Sequence, residues 1–104
     1  MGVVRRVIIQ NVITTANLRQ YVEITRFIKY SWGRYDHQYY GGRCGYIKKD
    51  KIRGRVTIFP SGKMISTGGK SIRESVEQLV HAMNILASEK FIEITKLEPK
   101  IQNI

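Results

Sequence analysis

The chain has 104 residues, 42% of them apolar, with a formal charge of +10 and one cysteine, Cys44. This is one compact domain with enough apolar residues for a core, so a disordered chain or two domains are excluded. One thiol cannot make an internal disulfide or a thiolate zinc site, and His37 and His81 lie far apart without carboxylates at ligand spacing, so neither metal nor cofactor is expected.

Val3 to Thr15 is rich in Val, Ile and Thr and predicts a strand. Asn17 then reads as the cap of a helix running to about Ser31, with Leu18, Tyr21, Ile24, Phe27 and Ile28 as its buried stripe. Residues 32–37 read as an irregular connection. A second strand is expected over Tyr39 to Lys48, weakened by Gly41, Gly42 and Gly45. Lys49 to Gly54 is a charged turn. Arg55 to Phe59 and Lys63 to Thr67 are strands joined by the tight turn Pro60-Ser61-Gly62. Ser71 and Glu74 have capping-box spacing before a long helix with Ile72, Val76, Leu79, Val80, Met83 and Leu86 on one face, where His81 reads as a surface or boundary residue. Phe91 to Leu97 is a last strand candidate, interrupted by Glu98-Pro99, after which Lys100 to Ile104 is extended.

This order predicts an α+β domain, an antiparallel sheet with two helices packed on one face. Strand alternation then assigns the other face. Ile8, Val12, Val56, Ile58 and Met64 go to the helix side. Asn11, Ile13, Thr15, Tyr40, Thr57, Phe59, Ile65 and Thr67 go to the open side, flanked by Lys63 and Lys70. Apolar and neutral polar side chains with cations at the rim suit a minor groove, with its few donors and apolar sugar walls. Alternation alone equally allows Phe59 and Ile65 to be core or interface residues.

Charge is divided along the chain. Residues 1–73 hold 15 of the 18 Lys and Arg but 3 of the 8 acidic residues, so the strand-rich part is the polycationic one. No apolar run approaches the roughly 20 residues a bilayer requires, and Met1 to Arg6 lacks the form of a signal peptide. No membrane partner is expected, and the location is taken as intracellular. No catalytic constellation emerges: Asp36-His37 has no nucleophile beside it, and Ser61 and Ser66 have no base.

The run from Val56 to Ser71 (VTIFPSGKMISTGGKS) closely resembles the strand–turn–strand of a TATA-box-binding protein repeat, and Ile9-Gln10-Asn11-Val12 with Ala16-Asn17-Leu18 resembles its opening strand. Ile9-Gln10-Asn11-Val12 returns 92 residues later as Ile101-Gln102-Asn103-Ile104. The resemblance therefore implies one such repeat over residues 1–97, with a curved sheet and both helices on one face. Residues 98–104 are then the start of a second repeat or an exchanged terminal strand. The first half of a longer chain is the favoured reading; a single-repeat relative that pairs as a homodimer is the other.

The resemblance further implies a non-enzymatic transcription initiation factor that binds the minor groove of A·T-rich double-stranded DNA and bends it, in the nucleus of a eukaryote or the cytoplasm and nucleoid of an archaeon. Asn11 would bond base acceptors, Ile13, Ile65 and Thr67 would pack on base edges and sugars, and Phe59 and Tyr40 would be the two wedging rings. Gln10, Ser61, Lys63 and Lys70 would meet the backbone. The loop Lys48 to Arg55, or the helices, would meet general transcription factors; the loop could equally grip phosphate or be a solvated turn. The sequence departs from the family at Tyr40, whose ring carries a hydroxyl, and at Tyr46, where an arginine is expected. Two other readings stand beside this one: an accessory nucleic-acid-binding domain of a ribonuclease H or glycosylase, and a protein-interaction or dimerisation module.

Overall fold

The computed structural model describes residues 12–38, 40–49 and 52–102, with only the backbone of Tyr40. Six strands form one sheet in the order β2-β3-β4-β5-β1-β6, every pair antiparallel. They are β1 (Val12–Asn17), β2 (Gly33–Arg34), β3 (Gly45–Ile47), β4 (Arg55–Ile58), β5 (Lys63–Gly69) and β6 (Lys100–Gln102). One long helix, α1 (Ile72–Ser88), crosses one face and packs on β5 and β1. The architecture is the expected α+β layer pair, with the first expected helix reduced to a short 3-10 segment, Ile24–Lys29.

Hydrogen bonding accounts for that reduction. Asn17 Oδ1 accepts the Arg19 N–H at 2.7 Å, and Arg19 takes a left-handed φ of 57°. This local turn competes with a helix cap. Amides on either side of Arg19 are spent on the β4–β5 turn: Leu18 N–H donates to the Gly62 carbonyl at 2.9 Å and Val22 N–H to the Pro60 carbonyl at 3.0 Å. Leu18, Val22, Ile24 and Phe27 are buried, but Tyr21 and Ile28 are both 66% exposed, so the expected stripe is corrected at those two positions.

The expected strand over residues 91–97 is also absent. Phe91 and Ile92 turn into the core, and the Gln20 carboxamide clasps Glu93 through both backbone groups, at 2.8 Å to its carbonyl and 2.9 Å from its N–H. Pairing resumes only at β6, against β1. The second strand is shortened to β3, because Tyr40–Gly42 is a turn with positive φ at Gly41 and Gly42. In compensation, Gly33–Arg34 adds the edge strand β2 to β3.

Helix α1 begins as its capping residues predict. Ser71 Oγ accepts the Glu74 N–H at 3.0 Å, and Glu74 Oε1 reaches back to the Lys70 N–H at 2.7 Å. Such a cap is worth about 1 kcal/mol. The buried side of the helix holds Leu79, Ala82, Met83, Ile85 and Leu86, but also Ser75 and Gln78. Ile72 and Val80 of the expected stripe are 50% and 39% exposed. The buried face is turned toward Ser75 and Gln78 because strands β1 and β5 present hydroxyls there. Thr14 and Ser75 share a hydrogen bond of 2.8 Å, Ser75 bonds Ser66 at 3.2 Å, and Gln78 Nε2 donates to Ser66 Oγ at 2.8 Å. Every member of this network is partnered, which is what makes polar groups tolerable in a core.

Candidate nucleic-acid interface

Directly paired residues on neighbouring strands share a face. On the helix side, Ile47, Val56, Ser66 and Thr14 form one such row, and Gly45, Ile58, Met64 and Ala16 another; all are buried. The open side carries the row Arg34, Tyr46, Thr57, Ile65, Thr15 and Lys100, one residue from each of the six strands. Arg55 pairs with Thr67, Lys63 with Asn17 and Ile13 with Gln102 on the same side. The alternation read from the sequence therefore places Ile13, Thr15, Thr57, Phe59, Ile65 and Thr67 as expected, away from α1.

The middle of this face is apolar and hydroxylic. Thr57, Ile65 and Thr67 floor a concavity of about 530 Å³, with Phe59 and Gly41 as walls and Arg43 and Arg55 at its rim. Phe59 is half-buried at the end of β4, where its N–H donates to the Lys63 carbonyl and its carbonyl accepts the Gly62 N–H, both at 2.9 Å. The turn thus fixes the ring's backbone while leaving part of the ring open. Ser61 and Lys63 are exposed beside it. Lys70 lies after β5, at the start of α1, and is exposed. Gln10 and Asn11 lie outside the described residues, as does the side chain of Tyr40.

Cations gather at both ends. Arg19, Lys63, Lys96 and Lys100 line a cleft at the β1–β6 end, with Glu98 as its one acid. At the β2–β4 end stand Arg34, Lys48 and Arg55, with the Arg55 guanidinium 4.1 Å from the centre of the Tyr46 ring. Sequence reasoning missed Arg34, Tyr46, Arg55 and Lys100 as members of the face. For Arg55 the signal was present, since the alternation that turns Thr57 to the open side, where it is nonetheless buried, also turns Arg55 there. Arg34 had none, because a two-residue strand carries no period.

The basic loop after β3 is anchored. Lys48 Nζ donates to the carbonyls of Arg53 at 3.0 Å and Gly54 at 2.7 Å, Arg53 pairs with Glu74 of α1 at 3.1 Å, and Gln78 Oε1 accepts the Gly54 N–H at 3.0 Å. Lys49 is exposed on this held frame. Cys44 is buried, and burial pushes its thiol up from the ordinary value while the charge of Arg55 acts in the opposite sense. A thiol held protonated is a poor nucleophile. Among the described residues, no group of His, Cys, Asp and Glu is placed to hold a metal ion, and no helix is long and apolar enough to cross a membrane.

An open six-stranded antiparallel sheet with one main helix on its back defines a single repeat of a saddle-like α+β fold. The family model described as "Transcription factor TFIID (or TATA-binding protein, TBP)" matches residues 6–89, and the chain belongs to that family. It is 43% identical over 94 residues to a TATA-box-binding protein of Cenarchaeum symbiosum (strain A), covering 90% of this chain and 52% of that protein. The structure is similar to that of Methanococcus jannaschii TBP, with a TM-score of 0.75 at 20% identity over 89% of this chain and 53% of the other. The chain thus spans about half the length of the relatives it matches.

Proposed function

We propose that this chain is one DNA-binding repeat of a transcription initiation factor, holding the minor groove of A·T-rich duplex on its open face. The observation that carries this reading is the layout of that face: an apolar and hydroxylic floor, Ile13, Thr15, Thr57, Ile65 and Thr67, between two cationic ends. Cations at the ends neutralise phosphates and supply affinity. The floor offers methyl groups and hydroxyls to the minor-groove wall, where A·T pairs show only acceptors. Phe59, half-exposed at the end of β4, wedges between base pairs, with Tyr40 in the position of a second ring; this mechanism is carried over from the family. Asn11 supplies an amide to base acceptors near the centre of the site, and Gln10, Ser61, Lys63 and Lys70 meet the backbone. The protein works by binding, not catalysis, and acts on chromosomal DNA inside the cell.

Two further surfaces take partners in this reading. The basic loop of residues 48–55, held at Lys48, Arg53 and Gly54, meets a general transcription factor. A second unit of the same fold, whether a second repeat or another copy, continues the sheet beyond β6, whose outer edge has no partner among the described residues. Ile101, 58% exposed, lies opposite Thr14 on the helix side of that edge. Glu74 and Gln78 mark the flank of α1 that faces β4, so Ile72 and Val80 lie on the other flank, toward the same edge.

Fluorescence anisotropy and end-to-end energy transfer on labelled duplexes test the reading. The chain should bind A·T-rich duplex more tightly than G·C-rich duplex and shorten its end-to-end distance. Equal affinity for both, with no bend, contradicts it.

A further inference from the structure

Of the residues that floor the open face, Thr67 is held differently from the others. Thr57 is paired on both sides, with Tyr46 and Ile65, and Ile65 with Thr57 and Thr15. Thr67 pairs with Arg55 of β4, but on its β1 side the register shifts: Ser66 opposes Thr14 and Gly69 opposes Val12, so Thr67 and Gly68 together face Ile13. This is a β-bulge, a device that re-aims a side chain and leaves its ladder incomplete. Arg55–Thr67 is also the outermost pair of β4 and β5. Just beyond it the two backbones touch. A Cβ on Gly54 would collide with the Thr67 carbonyl, and one on Gly68, whose φ is 82°, would stand 2.6 Å from Gly54 Cα.

A single side chain splices this junction from behind. Gln78 of α1 is 1% exposed on the helix side, and its carboxamide bonds both strands at once. Oε1 accepts the Gly54 N–H at 3.0 Å, while Nε2 donates to Ser66 Oγ at 2.8 Å and to the Thr67 carbonyl at 3.2 Å. A buried carboxamide costs desolvation that an apolar side chain of the same length would not. What it supplies in return is position: the bulged end of β5 is tied to β4 and to a rigid helix.

We propose that Gln78 is a positioning residue for base-pair selectivity: without touching the duplex, it fixes the height at which Thr67 stands on the open face. In the minor groove A·T pairs show only acceptors, whereas guanine adds a protruding amino group. A floor held at one height excludes that group, and a floor that gives way admits it. Recognition groups need to be held to about 0.5 Å by the shell behind them, and Gln78 is that shell for the one floor residue whose ladder is broken. This inference rests on the DNA-binding reading above.

The test is anisotropy across a chloride series with A·T-rich and G·C-rich duplexes, using wild type, Gln78→Met and, as a destabilised control buried on the same helix, Ile85→Val. Thermal melts check that each variant is folded. In Gln78→Met the ratio of A·T to G·C affinity should fall by roughly 2- to 10-fold, the worth of one lost hydrogen bond. The slope of log K against log salt should stay at the wild-type value, because no cation is removed. Ile85→Val should keep the wild-type ratio. A wild-type ratio in Gln78→Met, or the same fall in Ile85→Val, overturns the assignment while leaving the DNA-binding reading intact. A second measurement needs no variant: the Gln78 carboxamide protons of the wild type, buried behind the sheet, should shift in NMR spectra when A·T-rich duplex is added. Protons that stay in place while the duplex binds also overturn the assignment. Wild-type protein with no preference for A·T-rich duplex overturns both readings.

Discussion

Replacing Phe27 with alanine should lower the unfolding free energy by about 3–5 kcal/mol, the usual cost of deleting a fully enclosed phenylalanine. Phe27 has no solvent exposure and is met edge-on by Trp32 and Phe91, at ring-centre distances of 5.5 and 5.3 Å. Tyr30 stacks on Trp32 at 4.8 Å, and Arg26 caps Phe91 at 4.1 Å, so the ring is the enclosed member of an aromatic cluster beneath β2 and β3. Gly45 explains how it lies so close to the sheet: a Cβ there would stand 2.8 Å from Phe27 Cδ2. The glycine that weakens a strand pattern is thus the one that admits the ring. A domain of this size has roughly 5–15 kcal/mol to lose, so the variant should be near its folding limit. Urea titration with an unchanged m-value checks this; a loss under about 1 kcal/mol would show that the cluster collapses around the gap.

Phe59→Ala should leave stability close to wild type and remove most of the bending of A·T-rich duplex. The ring is half-buried, and the hydrogen bonds that fix it belong to the backbone of the turn, so alanine keeps the hairpin. An aromatic ring on a base contributes about 1–3 kcal/mol, which corresponds to a roughly 5- to 150-fold loss of affinity. Energy transfer across the duplex and a melting curve of the protein separate the two effects. A variant that bends DNA as wild type does would remove Phe59 from the site.

The open face was legible because β4 and β5 are long enough to alternate cleanly and are joined by a two-sided turn signal at Pro60-Ser61-Gly62. Val56, Ile58 and Met64 fall beneath the helix and Thr57, Ile65 and Thr67 away from it, as the period of two requires. Helix α1 was legible in its cap and length but not in its rotation. An apolar stripe assumes that polar side chains face water, and Ser75 and Gln78 instead pair with Ser66 in the interior. The segment after β1 misled for a related reason. Its helical spacing is real, but tertiary hydrogen bonds to Pro60 and Gly62 take the amides a helix would use. Such bonds span some 40 residues and leave no local trace in the sequence. The outer cationic end was hidden because Arg34 belongs to a strand of two residues and Tyr46 to one of three.

Methyl NMR of the whole chain during titration with A·T-rich duplex distinguishes the two faces of the sheet in one spectrum. Ile13, Ile65, Thr15 and Thr67 report from the open side, and Ile72 and Val80 from the back of the molecule. If nucleic acid occupies the open side, the first four resonances shift or broaden at stoichiometric duplex and the last two stay in place. Movement of Ile72 and Val80 while Ile65 and Thr67 remain still would place the duplex on the helix side and contradict the assignment.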